Sequence, residues 1–391
     1  MSEIRDVAVV GAGMTRFGEH WKEGLKELIT DAGIKAVEDA GISGRDIQLI
    51  VGGSMSSGMF AGQEHTGALF PDYLGLNPVP AIRTEAACAS SSVALATGIM
   101  AIQSGKYKCV VVGGVEKMTD VYGNLATTAL AGAMDRDNEA HFGLTFPGVY
   151  ALMAQRHMYQ YGTTREQIAM IAVKNHANAM HNPNAQFHRK ITVDDVLASP
   201  LIADPLRLLD CSPIADGAAA LILVPAAEAR KHTDTPIYIR ASSQKSDTLG
   251  LYMRPDITTV GATVAAAQDA YKQAGMKPGD IDFAEVHDCF TINEIIATED
   301  LGFAKKGEGG RLIQSGETQI GGRIPVNPSG GLKAKGHPVG ATGAAQIVEI
   351  VEQLRGEAGG RQVAGAENGL AHNVGGSGST VLVHILSRNR K

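Results

Sequence analysis

The sequence predicts an α/β protein built from two copies of one structural unit, and three observations predict it. Glycine is abundant at 47 residues while aromatics make up only 5%, the composition of a chain with many tight strand–helix turns and closely packed small-residue helices. Ala40-Gly41-Ile42 followed by Asp46 to Ile50 matches Ala274-Gly275-Met276 followed by Asp280 to Ala284, at a constant offset of 234 residues (40 to 274, 46 to 280). A second pair repeats more loosely. Cys88 to Gln103 with the strand Cys109 to Gly114 is echoed by Gly340 to Leu354 with Gly365 to Gly376.

Taken in order, the first unit begins with a strand ending near Val10, and then Leu28, Ala32, Ile34, Ala36, Val37 and Ala40 recur at helical spacing up to Gly41. Its counterpart runs through Val264, Ala267, Ala270, Tyr271 and Ala274 to Gly275. Each helix stops at a glycine suited to a left-handed cap, and a strand follows. Residues 118 to 205 have no partner in the second unit. They read as an insertion capping an active-site mouth or contacting a partner. Buried-strand character returns at Asp216 to Val224, which belongs to the first unit. The domains expected are therefore 1–236, including the insertion 118–205, and 237–391.

Composition narrows the function. A 391-residue chain with 44% hydrophobic residues buries a large core. Its 35 basic against 41 acidic side chains, net −6, leave no cationic excess for nucleic acid. No apolar run approaches the roughly 18 residues that span a bilayer. Met1 to Val10 carries Glu3 and Asp6 and fits neither a secretory leader nor an anchor. The four cysteines, Cys88, Cys109, Cys211 and Cys289, lie far apart without C-x-x-C spacing. Neither a disulfide framework nor a cysteine zinc site is expected, and the compartment expected is the reducing cytoplasm. Val9-Val10-Gly11-Ala12-Gly13 hints at dinucleotide binding, but the third glycine position is Arg16, so the fingerprint is incomplete.

Four segments carry chemistry. Cys88 precedes the small-residue run Ala89-Ser90-Ser91-Ser92; at a helix start it is either an activated nucleophile, its pKa lowered by unpaired N–H groups and the macrodipole, or a small buried hydrophobe. His337 stands between glycine and proline in Asn327 to Gly343, at the helix entry equivalent to the one bearing Cys88. A pseudo-twofold would pair thiol and imidazole. Glu285-Val286-His287-Asp288-Cys289-Phe290 follows the repeated strand, where α/β sheets place functional loops. The turn His372 to Ser379 offers backbone N–H groups for an oxyanion hole.

With these four segments in this order, the sequence resembles the thiolases over nearly its full length. The resemblance implies a duplicated thiolase fold of five layers, α-β-α-β-α, with coenzyme A esters as substrates, no permanently bound cofactor and no metal. It further implies a homodimer or tetramer. Where common thiolases carry Asn-Glu-Ala-Phe and a second catalytic cysteine, this chain has His287-Asp288-Cys289-Phe290 and Asn373-Val374-Gly375. It is therefore most similar to the archaeal-type acetoacetyl-CoA thiolases and the sterol-carrier-protein-type thiolases.

The function so implied is acetyl-CoA C-acetyltransferase, a reversible Claisen condensation of two acetyl-CoA to acetoacetyl-CoA through acetyl-Cys88, a step of the mevalonate pathway. Cys88 and His337 would form the nucleophile pair, Cys289 the acid–base group, and His287 with His337 the enolate site. Backbone N–H groups of Cys88 and Gly375 would hold the oxyanion, and Phe146, Ser329 and Asn373 are candidate pocket residues. The archaeal likeness also implies a complex with hydroxymethylglutaryl-CoA synthase and a zinc-binding OB-fold protein. The alternative is a 3-ketoacyl-CoA thiolase acting on longer or branched chains. A ketoacyl synthase or hydroxymethylglutaryl-CoA synthase would share the fold without pairing His-Asp-Cys-Phe with Gly-His-Pro, and a mere acyl-binding module would lack Cys88 or His337.

Overall fold

The computed structural model describes residues 6–390, so the expectation drawn from Met1 to Arg5 falls outside the described residues. Among the described residues, nine strands form one continuous sheet: β1 (Val7–Met14), β2 (Leu49–Gly53), β3 (Ala81–Thr84), β4 (Val110–Glu116), β5 (Gly217–Pro225), β6 (Ile237–Ser246), β7 (Phe283–Glu285), β8 (Asn368–Gly375) and β9 (Thr380–Ser387). Their order is β3-β2-β4-β5-β1-β6-β9-β8-β7. It reads as one unit followed by its mirror image. The seam is β1 against β6, antiparallel, with Val7 opposite Ile239 and Val9 opposite Ile237. Beyond β7 a lone parallel bridge from Ala284 to Val326 stands where the first unit has β3.

Period-two alternation along these strands sends side chains to two different cores. Val7 and Val9 of β1 pack with Ala94, Leu95 and Ile99 of α2 (Ser90–Gln103) and with Ile347, Val348 and Val351 of α8 (Thr342–Arg355). Ala8 and Val10 pack outward on Leu28, Ile29 and Ala32 of α1 (Leu25–Asp39). In the second unit, Val383 and Ile385 of β9 face Ala266, Ala267 and Ala270 of α5 (Gly261–Ala274), whereas Leu386 faces the α2–α8 layer. Helix, sheet, helix, sheet, helix is the resulting stack. The middle layer contacts a sheet on both sides, which is why α8 is buried around nearly its whole circumference.

Gly11 and Gly13, the hint of a dinucleotide loop, lie inside β1. A Cβ on Gly11 would stand 2.2 Å from the Ala36 carbonyl oxygen, so these glycines let α1 approach the sheet. The insertion contains α3 (Phe146–Tyr161) and α4 (Arg165–Ala179). Asn175, Asn178 and Asn182, at helical spacing on α4 and its exit, reach the second unit through Asp288, the Asn327 carbonyl and the Ser329 carbonyl. No helix among the described residues is long and apolar enough to cross a membrane.

Candidate active site

Cys88 sits where the chain turns from β3 into α2. Ala87 just before it has φ of +51°, a left-handed conformation that costs a β-carbon residue about 1–3 kcal/mol and persists only where neighbours enforce it. They do: the Ala87 N–H donates to Glu85 at 2.6 Å, and the Ser90 hydroxyl donates to the Ala87 carbonyl at 2.6 Å. The turn aims the thiol into a cavity of about 360 Å³ between the two units and the insertion. There the Gly376 N–H donates to the sulfur, yet burial, reinforced by the charge of Glu116, pushes the thiol up to about 12. The lowered pKa expected from the helix N-terminus is thus overturned. Desolvation outweighs backbone dipoles when water is excluded.

His337 hangs from the loop between α7 (Gly331–Lys335) and α8, and its Nδ1 lies 2.7 Å from the Thr342 hydroxyl. Thr342 spends its single hydrogen on the Pro338 carbonyl at 3.0 Å, so it accepts from His337 Nδ1–H and leaves Nε2 as a lone pair. Burial pushes the imidazole down to about 3. Thiol and imidazole therefore rest as a neutral pair.

His287 lies between β7 and α6 (Thr291–Asp300), its ring edge-on to His337 with centroids 5.0 Å apart. The Asn373 amide donates to its Nδ1 at 3.0 Å, which fixes the hydrogen on Nε2. That N–H is buried and has no partner. Burial and the two neighbouring imidazoles, His337 and His372, hold His287 well below the ordinary histidine range, hence neutral. The ligating atoms of Cys88, His287 and His337 all lie within 4.8 Å of one another. A neutral N–H donor, a neutral base and a thiol thus converge on one point.

Cys289 shares the cavity with Cys88, and burial drives its thiol well above the usual value. Beside it stands the hydroxyl of Tyr150 on α3, which donates its hydrogen to the Gly376 carbonyl at 3.2 Å while the ring stacks on Phe290 at 4.7 Å. Tyr150 thereby touches the loops of both cysteines. Sequence reasoning missed it, because an aromatic in an insertion carries no local signal.

Phe146 lines the cavity. Ser329 does not: its N–H and hydroxyl both bond the buried Glu285 carboxylate, at 3.1 and 2.6 Å, so it braces the loop beneath His337. Asn373 is likewise held back from the cavity and orients His287. Of the terminal turn, Gly376 supplies the N–H on sulfur, while Gly375 presses its backbone on the Cys88 loop so closely that a Cβ would meet the Ala86 oxygen at 2.3 Å. Asp288, passed over in favour of its neighbours, accepts from the Leu332 N–H at 2.6 Å and the Lys333 N–H at 3.2 Å. It ties the His287 loop to the His337 loop.

A buried thiol, a lone-pair imidazole and an imidazole N–H donor meet on the facing helix entries of a duplicated five-layer fold, the set of groups that covalent thiol catalysis requires. Residues 7–227 match the family model described as Thiolase, N-terminal domain, and residues 243–388 match Thiolase C-terminal domain-like. The chain belongs to the thiolase family. It is 59% identical to an acetyl-CoA acetyltransferase of Methanothermobacter thermautotrophicus, covering 98% of this chain and 100% of that one. It is 51% identical to an acetyl-CoA acetyltransferase of Methanocaldococcus jannaschii, covering 99% and 100%. Among solved structures, one described as Ltp2-ChsH2(DUF35) aldolase superposes with a TM-score of 0.85 at 28% identity, covering 99% of this chain and 98% of that one.

Proposed function

We propose that this chain is an acyltransferase that condenses two acetyl-CoA to acetoacetyl-CoA and catalyses the reverse thiolysis. The observation that carries the reading is the convergence of the Cys88 sulfur with His337 and His287 within 4.8 Å, beside a cavity that also holds Cys289. As Cys88 attacks the thioester carbonyl, its proton passes to His337 Nε2, and the oxyanion is held by the N–H groups of Cys88 and Gly375. Coenzyme A departs with the proton of Cys289, leaving acetyl-Cys88, a Cys289 thiolate and a protonated His337. The second acetyl-CoA then loses its α-proton to Cys289, its enolate oxygen held by the Nε2–H groups of His287 and His337. Attack on acetyl-Cys88 forms the carbon–carbon bond, and His337 returns its proton to the departing Cys88 sulfur.

Division at 236/237 into two halves accompanies this reading, supported by the mirrored sheet order. So do a homodimer or tetramer, supported by the edge position of β3, whose Ile82 is 46% exposed, and a cytoplasmic setting in mevalonate supply, supported by four free cysteines. The complex with hydroxymethylglutaryl-CoA synthase and a zinc-binding OB-fold protein rests on the archaeal likeness alone. A second reading, longer or branched 3-ketoacyl substrates, is favoured by the apolar walls Leu130, Phe146, Ile202 and Ile214. Thiolysis rates with acetoacetyl-CoA against longer 3-ketoacyl-CoA esters decide between the two. Phe146→Ala should shift that preference toward longer chains more than it alters acetylation by acetyl-CoA; an unchanged preference removes Phe146 from the specificity wall.

A further inference from the structure

Cys88, His287 and His337 are the cluster of potential metal-ligating side chains found among the described residues, one sulfur and two ring nitrogens, all buried. A tetrahedral zinc ion with bonds of about 2.3 Å to sulfur and 2.0–2.1 Å to nitrogen spaces its ligand atoms by roughly 3.3–3.8 Å, so atoms already within 4.8 Å need to close by only about 1 Å.

His337 already has the outer acceptor that a ligating histidine requires, and His287 has beside it an amide that can become one. His337 Nδ1–H is held by Thr342, whose own hydrogen is committed to Pro338, so Nε2 presents its lone pair toward the thiol. His287 is held by Asn373, but through the amide nitrogen, which leaves Nε2–H as a donor with no acceptor and strands Asn373 Oδ1 without a partner as well. Turning the amide over would pair Oδ1 with a hydrogen moved to Nδ1, and the freed Nε2 lone pair would point into the cluster, where a cation would satisfy it. The displaced amide nitrogen would then face the Ser92 hydroxyl, a third buried atom without a partner; Ser92 Oγ and Asn373 Oδ1 lie 2.3 and 2.6 Å from the position a Cβ on Gly343 would take. The nearby Glu116 carboxylate, whose charge acts on Cys88, would offset part of a cation's charge. Cys88 and His337 both line the cavity of about 360 Å³, which has room for a fourth ligand.

We infer that Cys88, His287 and His337 form a reversible inhibitory site for a borderline-soft divalent cation of the zinc type, entered when the Asn373 amide turns over. Binding forms one metal–sulfur and two metal–nitrogen bonds. The thiol proton goes to solvent, the His287 hydrogen moves from Nε2 to Nδ1, and nothing is oxidised or reduced. Acetylation of Cys88 and metal binding exclude each other, and the same amide selects between an enolate-holding and a metal-holding His287.

Cobalt(II) is the probe, added anaerobically to chelator-washed full-length protein. The expected result is one equivalent bound, with a sulfur-to-cobalt charge-transfer band and the visible bands of a tetrahedral site. Cys88→Ser should abolish the charge-transfer band, Cys211→Ala should retain it, and zinc should displace the cobalt. Asn373→Asp, whose carboxylate can only accept, fixes the hydrogen of His287 on Nδ1; it should tighten cobalt about 10-fold or more while slowing condensation. Absence of the band in wild-type protein, its persistence in Cys88→Ser, or weaker binding in folded Asn373→Asp would overturn the site. Because the readout is optical binding, its failure is distinct from failure of the acetoacetyl-CoA reading, which is tested by turnover.

Discussion

At the residue scale the proposed mechanism divides the work between Cys88 and Cys289, and two predictions test that division. Cys289→Ala should still acquire an acetyl group on Cys88, because coenzyme A thiolate can depart without an internal acid. It should lose condensation by about 10²-fold or more, the usual scale for removing a general acid–base group. Tyr150→Phe, which keeps the stacking on Phe290 and removes only the hydroxyl beside Cys289, should fall in the same step by a smaller factor. Mass spectrometry of the acyl-enzyme beside steady-state condensation checks both, and an equal loss in the two steps contradicts the division. The second prediction concerns Cys88, whose thiol is pushed up to about 12. Its alkylation by iodoacetamide should accelerate about tenfold per pH unit from pH 6 to 9, as the thiolate fraction does far below a pKa. A plateau across that range would mean a resting thiolate–imidazolium pair.

At the element scale the short helix α7 and the loop it feeds to His337 are held by Asp288. Gly331 opens that helix at φ +60°, and a Cβ there would stand 2.4 Å from an Asp288 carboxylate oxygen. Backbone strain and the lost carboxylate contacts coincide. Gly331→Ala should therefore cost about 1–3 kcal/mol of stability and displace His337, lowering acetylation of Cys88 itself; a urea titration alongside the acylation rate tests this. Normal acylation in a destabilised variant would show that α7 supports the fold without positioning the base.

At the scale of the whole molecule, buried histidines and buried carboxylates oppose each other as pH falls. Burial lowers His337 and His372 to about 3 and His176 and His384 to about 4. Below about 6.5 the unfolded chain then binds the extra protons, and stability falls with pH. Glu116, Asp288 and Glu352 are raised to about 7 and Asp300 to about 6. There the folded state binds the extra protons, a contribution gained as pH falls from about 7 toward 4. With His287 also held below the ordinary histidine range and Glu285 raised, both by burial, five groups stand on each side, so stability should change little between pH 6.5 and 5. His384, with neither ring nitrogen hydrogen-bonded, isolates one side. His384→Leu should gain on the wild type by up to about 1.4 kcal/mol per pH unit as pH drops from 6.5 to 4, read from urea midpoints; a pH-independent difference would place that imidazole in contact with solvent.

The sequence by itself determined the duplicated α/β architecture, through a repeat of fixed offset and glycine-capped helices, and it located Cys88, His287, Cys289 and His337 on loops that do converge. Those signals are local: periodicity, a cap, a polar residue where a strand ends. Only the tertiary structure decided the protonation of the site, because desolvation is set by what other segments pack over Cys88, and it turned an expected lowered thiol into a raised one. It likewise moved Ser329 and Asn373 from the pocket to the layer behind it and brought in Tyr150, Thr342 and Asp288. These side chains act through partners distant in the chain, such as Tyr150 on the loop of Gly376, and no short-range pattern records a contact across two halves of a sheet. The amides of Asn175, Asn178 and Asn182 likewise take on a purpose only once the second unit lies against them.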